Sequence, residues 1–428
     1  MTGEATVEVT VTGLGAGGDG LAAAPDGGRL YIPCAAPGDR LQVAPGEKAG
    51  DGRRARVVAR LADGPDRAAP ACRHFGDCGG CALQHLADPA YRDWKRGRVV
   101  EALRRQGLDP GTVEALVPAV AGDRRRIRLA ARPAGGRLVL GFNAAHSHRI
   151  VEIAECPVAA PALVRLLPLV RDRLAPLWPR GQAGDVALTL TDGGADLLLI
   201  VAGTFTPAAR TGLARLAEDL DLARVAIAPD DRTVAEPVAI RRAATVRFGP
   251  AAVAVPPGGF LQAGIAAERA LVDRVLAAVP DGAVVGDLHA GSGTFALALA
   301  PRAKRVFAFD RDGPALDALV AAARSAGLGA KVQAERRDLD RRPLTAREVR
   351  SWTAAVLAPP RAGALGQAAA IAASAVPLVL YVSCNPVSFA RDAAALAAAG
   401  LGLERVTPVD QFLWSPHVEL VAVFRRSA

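Results

Sequence analysis

Charge is scarce in this chain. Only 22% of its 428 residues are Asp, Glu, Lys or Arg, while 51% are hydrophobic, a balance too apolar for a disordered segment. It has no collagen-like period, no long low-complexity tract and no internal repeat, which excludes fibrous and solenoid architectures. No basic start followed by an apolar run is present in MTGEATVEVTVTGLG. No signal peptide is therefore expected, and the protein is expected in the cytoplasm. A charge-free stretch between Arg361 and Arg391 is long enough for a membrane span, but Gln367, Pro377, Asn385 and Pro386 interrupt it. It reads as a buried Ala-rich helix followed by a short strand at 378–382, with no membrane partner.

What is present is length, basic charge and cysteine. At roughly 150 residues per domain the chain has room for about three domains. Lys and Arg number 52 against 43 Asp and Glu, a net charge of +9 that favours a polyanionic partner. Six cysteines in a reducing compartment point to metal binding or catalysis rather than disulfides.

Residues 1–64 carry short alternating runs, TVEVTVTGL, GRLYIPCA, DRLQVAP and RRARVVARL, punctuated by Gly and Pro, the pattern of a small β-barrel. A linker, PDRAAP, leads into a cysteine cluster and an α+β central domain over 65–245. Its strands are RRIRLAARP, GRLVLGF, DVALTLTD and ADLLLIVAG, and its helices lie near 161–178 and 207–220. A helix near 89–107 has the spacing to pack on the C-terminal domain. In residues 246–428 apolar strands alternate with helices, which predicts a doubly wound, mostly parallel sheet. The fold class is thus multi-domain α/β.

Within that last domain a strand ends in His289-Ala290-Gly291-Ser292-Gly293-Thr294-Phe295. The two glycines allow a sharp turn and close approach of a ligand at a helix N-terminus. The loop also fits G-x-G-x-x-A, so a dinucleotide and redox chemistry stay open. Asp310 stands 19 positions after Gly291, where a carboxylate can receive ribose hydroxyls. Cys384, in YVSCNP, falls at the carboxyl end of a later strand, where open α/β sheets place ligands. Cys72, Cys78 and Cys81 form C-x5-C-x2-C, and Cys156 follows in AECPV. Four thiolates can hold zinc or an iron–sulfur cluster, and three close cysteines with a remote one before proline fit the cluster better. Cys34 has no companion.

Together these residues resemble the S-adenosylmethionine-dependent RNA (uracil-C5) methyltransferases over nearly the whole chain, and within that family the large-subunit ribosomal RNA branch. The N-terminal barrel is similar to the family's oligonucleotide-binding-like TRAM domain, and the C-terminal domain to its Rossmann-like methyltransferase domain. Phe260-Leu261-Gln262, the glycine loop, the YVSCNP segment and His417-Val418-Glu419 match its motifs in order. The resemblance implies Cys384 as nucleophile and Glu419 as base. It implies Gln262, His289, Thr294, Asp310 and Asp338 as contacts to S-adenosylmethionine, and Cys72, Cys78, Cys81 and Cys156 as ligands of a [4Fe-4S] cluster. The implied partner is RNA, 23S ribosomal RNA rather than transfer RNA, acted on by a monomer.

Three residues depart from the family pattern. Ala358 replaces the acid before Pro359-Pro360-Arg361, His289 stands where an aromatic is usual, and Gly264 where an asparagine is common. An RNA-binding pseudo-enzyme or assembly factor is the competing class. Arg53, Arg54, Arg96, Arg104, Arg105, Arg124, Arg125, Arg126 and Arg128 add positive charge suited to RNA phosphates; any one of them reads as an ordinary solvated arginine, and only their sum is informative.

Overall fold

The structure, a computed structural model, describes residues 6–426. Residues 1–5 and 427–428, counted above in the first and last expected domains, lie outside the described residues.

The Gly-punctuated N-terminal runs form a six-stranded sheet in the spatial order Val7–Thr10, Arg40–Ala49, Gly52–Ala62, Arg29–Ile32, Gly20–Ala23, Gly13–Leu14. Neighbours are antiparallel except Arg29–Ile32 beside Gly52–Ala62. Alternation sends Val9, Leu30, Ile32, Leu41 and Val43 to one buried cluster. The run TVEVTVTGL is two strands, not one. The expected linker is tied down, because Arg67 pairs with buried Asp39, which also accepts from the Ala36 and Gly64 amides at 2.8 Å.

A second sheet has seven strands, ordered Glu236–Ile240, Arg224–Ala228, Gly194–Val201, Gly184–Thr191, Arg126–Ala134, Arg137–Asn143, Ile150–Glu152. Helices Pro161–Leu174 and Pro207–Asp219, each begun by a proline whose missing N–H costs nothing there, bury Leu163, Val170, Leu174 and Leu213 with Leu129, Val186 and Leu197 of the sheet.

The third sheet is ordered Val332–Arg336, Arg305–Asp310, Val284–Leu288, Ala354–Leu357, Leu378–Ser383, Glu419–Arg426, Leu401–Val409. Six strands run in one direction, and Glu419–Arg426 alone runs against them, antiparallel to both of its neighbours. Covered on both faces, the central strands are almost wholly apolar. One core holds Val285, Val306, Val356 and Leu380, and the opposite one Leu288, Leu357, Tyr381 and Phe389. The helix Asp88–Arg105 packs against the helix Pro386–Ala398 and adds Val99, Ala102 and Leu103 to the second core. Residues 113–117 then run along the outer edge of Leu401–Val409, with Glu114 and Val117 amides donating to Val406 and Pro408 carbonyls at 2.9 Å. Among the described residues no helix is long and apolar enough to cross a membrane; the charge-free stretch is the helix Leu365–Ala372 and the buried strand Leu378–Ser383.

Candidate active site

The strand Val284–Leu288 feeds a tight turn in which His289, Gly291 and Gly293 all have positive φ (64°, 52° and 98°). A Cβ on Gly291 would meet nothing within 4 Å, so the backbone there is open to a ligand, whereas one on Gly293 would press on Leu319 and Leu297. The Gly291 and Asp312 amides each donate to the Asp310 carboxylate at 2.9 Å, which fixes its direction. Asp287, fully buried, accepts from the Ala296 amide at 2.8 Å and is pushed up to about 7 by burial. Asp287 Oδ1, His289 Nε2 and Ser292 Oγ are buried without a partner, three groups in one loop that a polar ligand can satisfy. Burial lowers the His289 imidazole below its ordinary value and keeps it neutral.

Cys384 leaves the end of Leu378–Ser383 immediately before Asn385, whose side chain caps the helix Pro386–Ala398 by accepting from the Val387 amide at 3.2 Å. The strand end is held from below: Tyr381 donates to Asp392 at 2.6 Å, Asp392 accepts from the Ala364 amide at 2.7 Å, and Asn385 and Ser388 both donate to the Arg361 carbonyl at 3.0 Å. Ser383 pairs with Leu420 in the antiparallel ladder, so the next step along both strands sets Cys384 beside Glu419. Burial raises the thiol above its ordinary value and the Glu419 charge adds to this, while Arg361 pulls it down. Glu419 is pushed up to about 7 by burial.

Gln411 ties this pair to the Phe260-Leu261-Gln262 motif. Its Nε2 donates to Gln262 Oε1 at 2.9 Å and to Glu419 Oε2 at 3.1 Å, and its Oε1 accepts from the Ala263 amide at 2.9 Å. Sequence reasoning missed Gln411; the one local signal was a polar Asp410-Gln411 pair at the end of a strand, eight residues before Glu419.

Gln262, His289, Thr294, Asp310, Asp338, Cys384 and Glu419 all line one cleft of about 670 Å³, together with Phe260, Ala358 and Arg361. An adjoining cleft of about 840 Å³ shares Arg311, Asp312 and Asp338 with it but holds neither Cys384 nor Glu419.

Of the three departures, Gly264 has a local explanation. Gly264 is the N-cap of the helix Ile265–Ala278 and caps nothing itself; Asp123 does so from 141 positions earlier, accepting from the Ala266 amide at 2.9 Å. A Cβ at Gly264 would lie 2.4 Å from Asp123 Oδ2, so the borrowed cap excludes a side chain here. Ala358 lines the cleft at the end of Ala354–Leu357, its amide donating to the Leu288 carbonyl at 3.0 Å. The arginines of 124–128 are largely committed within the protein. Arg125 pairs with buried Glu268 and donates to the Gln262 carbonyl at 3.1 Å. Arg126 donates to the Leu261 carbonyl at 2.8 Å and lies 5.7 Å over the Phe260 ring. Arg128 is paired with Asp185 and Asp231. Arg125 and Arg126 thus shape the motif loop, while Arg124, Arg126 and Arg128 also line the cleft.

The cysteine segment folds as turns against the second sheet. The Gly79 amide donates to the Asn143 carbonyl at 2.9 Å, and the Arg73 amide to Glu155 Oε1 at 2.9 Å, which ties the neighbour of Cys72 to the neighbour of Cys156. Burial raises Cys72, Cys78 and Cys81, the last to about 12, and the charge of Cys156 contributes to each. As the side chains stand, no group of three or more His, Cys, Asp or Glu among the described residues could hold a metal ion. The four thiols are neighbours without the tight convergence that a single zinc at about 2.3 Å demands. Cys34 sits apart with a φ of 59°.

Fold and site define an α/β transferase-like enzyme with a cysteine and a buried carboxylate at the ligand crevice. The family model for tRNA (uracil-5-)-methyltransferases matches residues 257–427. An uncharacterized RNA methyltransferase of Brucella suis biovar 1 is 43% identical over 426 residues, spanning 100% of this chain and 99% of the relative. The 23S rRNA (uracil(1939)-C(5))-methyltransferase RlmD of Halomonas elongata is 35% identical over 96% of this chain and 88% of its own length. The crystal structure of Pyrococcus abyssi tRNA (uracil-54, C5)-methyltransferase with S-adenosyl-L-homocysteine shares the fold, with a TM-score of 0.75 at 22% identity over 97% of this chain and 99% of that one. The chain belongs to the RNA (uracil-C5)-methyltransferase family and is an S-adenosylmethionine-dependent enzyme of that class.

Proposed function

We propose that the enzyme methylates carbon 5 of a uridine in 23S ribosomal RNA through a covalent adduct in which Cys384 is the nucleophile and Glu419 the base. The observation that carries this reading is the placement of Cys384 beside Glu419, with Gln411 bonded to the carboxylate. Carbon 5 of uracil is a weak nucleophile. Addition of the Cys384 thiolate to carbon 6 turns the ring into an enolate with electron density at carbon 5. S-adenosylmethionine supplies the electrophilic methyl group. Glu419 then removes the carbon 5 proton, the double bond re-forms and the thiolate leaves. Arg361 and the N-terminus of the 13-residue helix Pro386–Ala398 favour the thiolate against the burial that opposes it.

The cofactor is held by Gln262, His289, Thr294, Asp310 and Asp338. In support, these residues line the cleft, and the open backbone at Gly291 and the unpartnered polar atoms of the turn suit a polar nucleoside. Cys72, Cys78, Cys81 and Cys156 hold a [4Fe-4S] cluster in a structural role. An all-thiol donor set suits iron and sulfide, and a cubane needs its ligands farther apart than one ion does. The N-terminal sheet is the TRAM module that grips RNA, and the enzyme works as a cytoplasmic monomer. The substrate reading draws on the Halomonas relative, whose alignment spans both chains.

Mapping 5-methyluridine in ribosomal and transfer RNA, with and without the gene, tests the substrate. Loss of a 23S site restored by the purified enzyme is the expected result. Loss confined to transfer RNA replaces the substrate, and loss nowhere, with RNA binding intact, favours the pseudo-enzyme.

A further inference from the structure

The turn at residues 412–417 joins Gln411 to Glu419, and a distant part of the chain grips it. Lys95, on the helix Asp88–Arg105, is fully buried. Its ammonium donates to Asp410, to the Phe412 carbonyl at 2.8 Å and to the His417 carbonyl at 2.7 Å, which uses all three of its protons. Tyr91, one helical turn earlier, donates to the other Asp410 oxygen at 2.5 Å and accepts from the Trp414 amide at 2.8 Å. Trp414 has a positive φ of 56°, a conformation that a non-glycine residue keeps only when its surroundings enforce it. Its carbonyl accepts from the Ala82 and Leu83 amides at 2.8 and 3.0 Å, in the segment just after Cys81. Both ends of the turn are therefore tied to one ammonium, and its middle to the cysteine segment.

We propose that Lys95 is a positioning residue for the proton-removal step: by fixing the Phe412 and His417 carbonyls it holds Gln411 and Glu419 where the carboxylate reaches carbon 5. This rests on the reading of Glu419 as the base. A buried lysine with an acid partner has a purely structural reading too, in which it serves only to neutralise Asp410. The two readings separate because only one of the three bonds goes to Asp410. Removing both charges restores neutrality but not the bonds to the two carbonyls.

The test compares Lys95→Met, Lys95→Met/Asp410→Asn and Glu419→Gln with the natural enzyme, using RNA from a strain lacking the gene. Thermal midpoint, RNA affinity, turnover and the covalent protein–RNA species on denaturing gels are measured. Lys95→Met is expected to melt early, since it leaves Asp410 uncompensated. The double variant is expected to recover most of the midpoint and to bind RNA within about threefold. Its turnover stays about 10- to 100-fold low, the scale set by a displacement near 1 Å, and it accumulates the adduct as Glu419→Gln does. Recovery of turnover together with stability overturns the inference, as does a slow double variant without adduct while Glu419→Gln accumulates it. If Glu419→Gln accumulates none, the base assignment itself falls and takes the inference with it.

Discussion

Replacing Glu419 by glutamine should stabilise the protein while disabling it, and the size of the gain follows from where the carboxylate sits. Glu419 is 5% exposed, and among the described residues it has no cationic partner and one side-chain bond, from the neutral Gln411 amide. Burial moves it from 4.5 to about 7. A carboxyl whose folded value is raised binds more protons folded than unfolded, so stability is greatest below pH 4.5, falls between 4.5 and about 7, and levels off above. At 1.36 kcal/mol per unit the full effect is on the order of 3 kcal/mol. Glutamine has nearly the same shape, keeps an acceptor for Gln411 and carries no charge to desolvate. At pH 8 the variant should therefore melt several degrees above the natural enzyme, since about 1 kcal/mol shifts a domain of this size by roughly 2–4 °C. At pH 5 the two should nearly coincide. Asp287, also pushed up to about 7, titrates in both proteins and cancels in the difference. Thermal unfolding of the two proteins without RNA, from pH 5 to 8.5, is the measurement. A difference that does not grow with pH, or a variant less stable at pH 8, refutes the argument that the base is stored at an electrostatic cost.

The other predictions concern single side chains. Cys384→Ala should bind RNA with unchanged affinity, form no covalent species and lose turnover by at least about a thousandfold, as read by transfer of labelled methyl groups. Gly264→Asn should cost about 1–2 kcal/mol through its clash with Asp123, and Gly264→Asn/Asp123→Ala should regain most of it because asparagine then caps the helix itself; chemical denaturation reports both. Cys78→Ser should lower iron and sulfide content and soluble yield in anaerobic preparations, whereas stoichiometric zinc without iron in the natural protein contradicts the cluster. Ala358→Asp restores an acid at the cleft and should improve turnover or cofactor affinity by roughly five- to a hundredfold if a buried polar contact is regained, the scale of about 1–3 kcal/mol; steady-state kinetics decide.

The strands that carry the cleft were legible because they are buried on both faces and read as unbroken apolar runs, and the glycine turn and YVSCNP segment follow them directly. Two strands of the same sheet escaped. Val332–Arg336 is an edge strand with only its first residue buried, and Leu401–Val409 carries Glu404, Arg405 and Pro408, so neither shows the pattern of a central strand. Gln411, Asp123 and Lys95 were illegible for another reason. Each has a partner far along the chain, 148, 143 and 315 positions away, and no local pattern in the sequence encodes those contacts. The +9 charge pointed to a polyanion, and the family acts on RNA, but a net charge does not say which arginines stay free: Arg125 and Arg126 are tied to the carbonyls of Gln262 and Leu261.

Those distant contacts change how the parts of the chain relate to the chemistry. The family model spans residues 257–427, yet the segment it leaves out frames the cleft on two sides. From one side Arg125 and Arg126 hold the carbonyls of Leu261 and Gln262, and Asp123 caps the helix that follows. From the other, Lys95 and Tyr91 hold the turn before Glu419, while Val99, Leu103 and Val113 fill the core behind Phe389 and Tyr381. A chain cut to the matched residues would take from Glu268 and Asp410 their cations and strip one hydrophobic core of a wall. The middle of the chain is thus part of the cleft's framework, and the cysteine segment, bonded to Trp414, is the outermost member of the scaffold that holds Glu419.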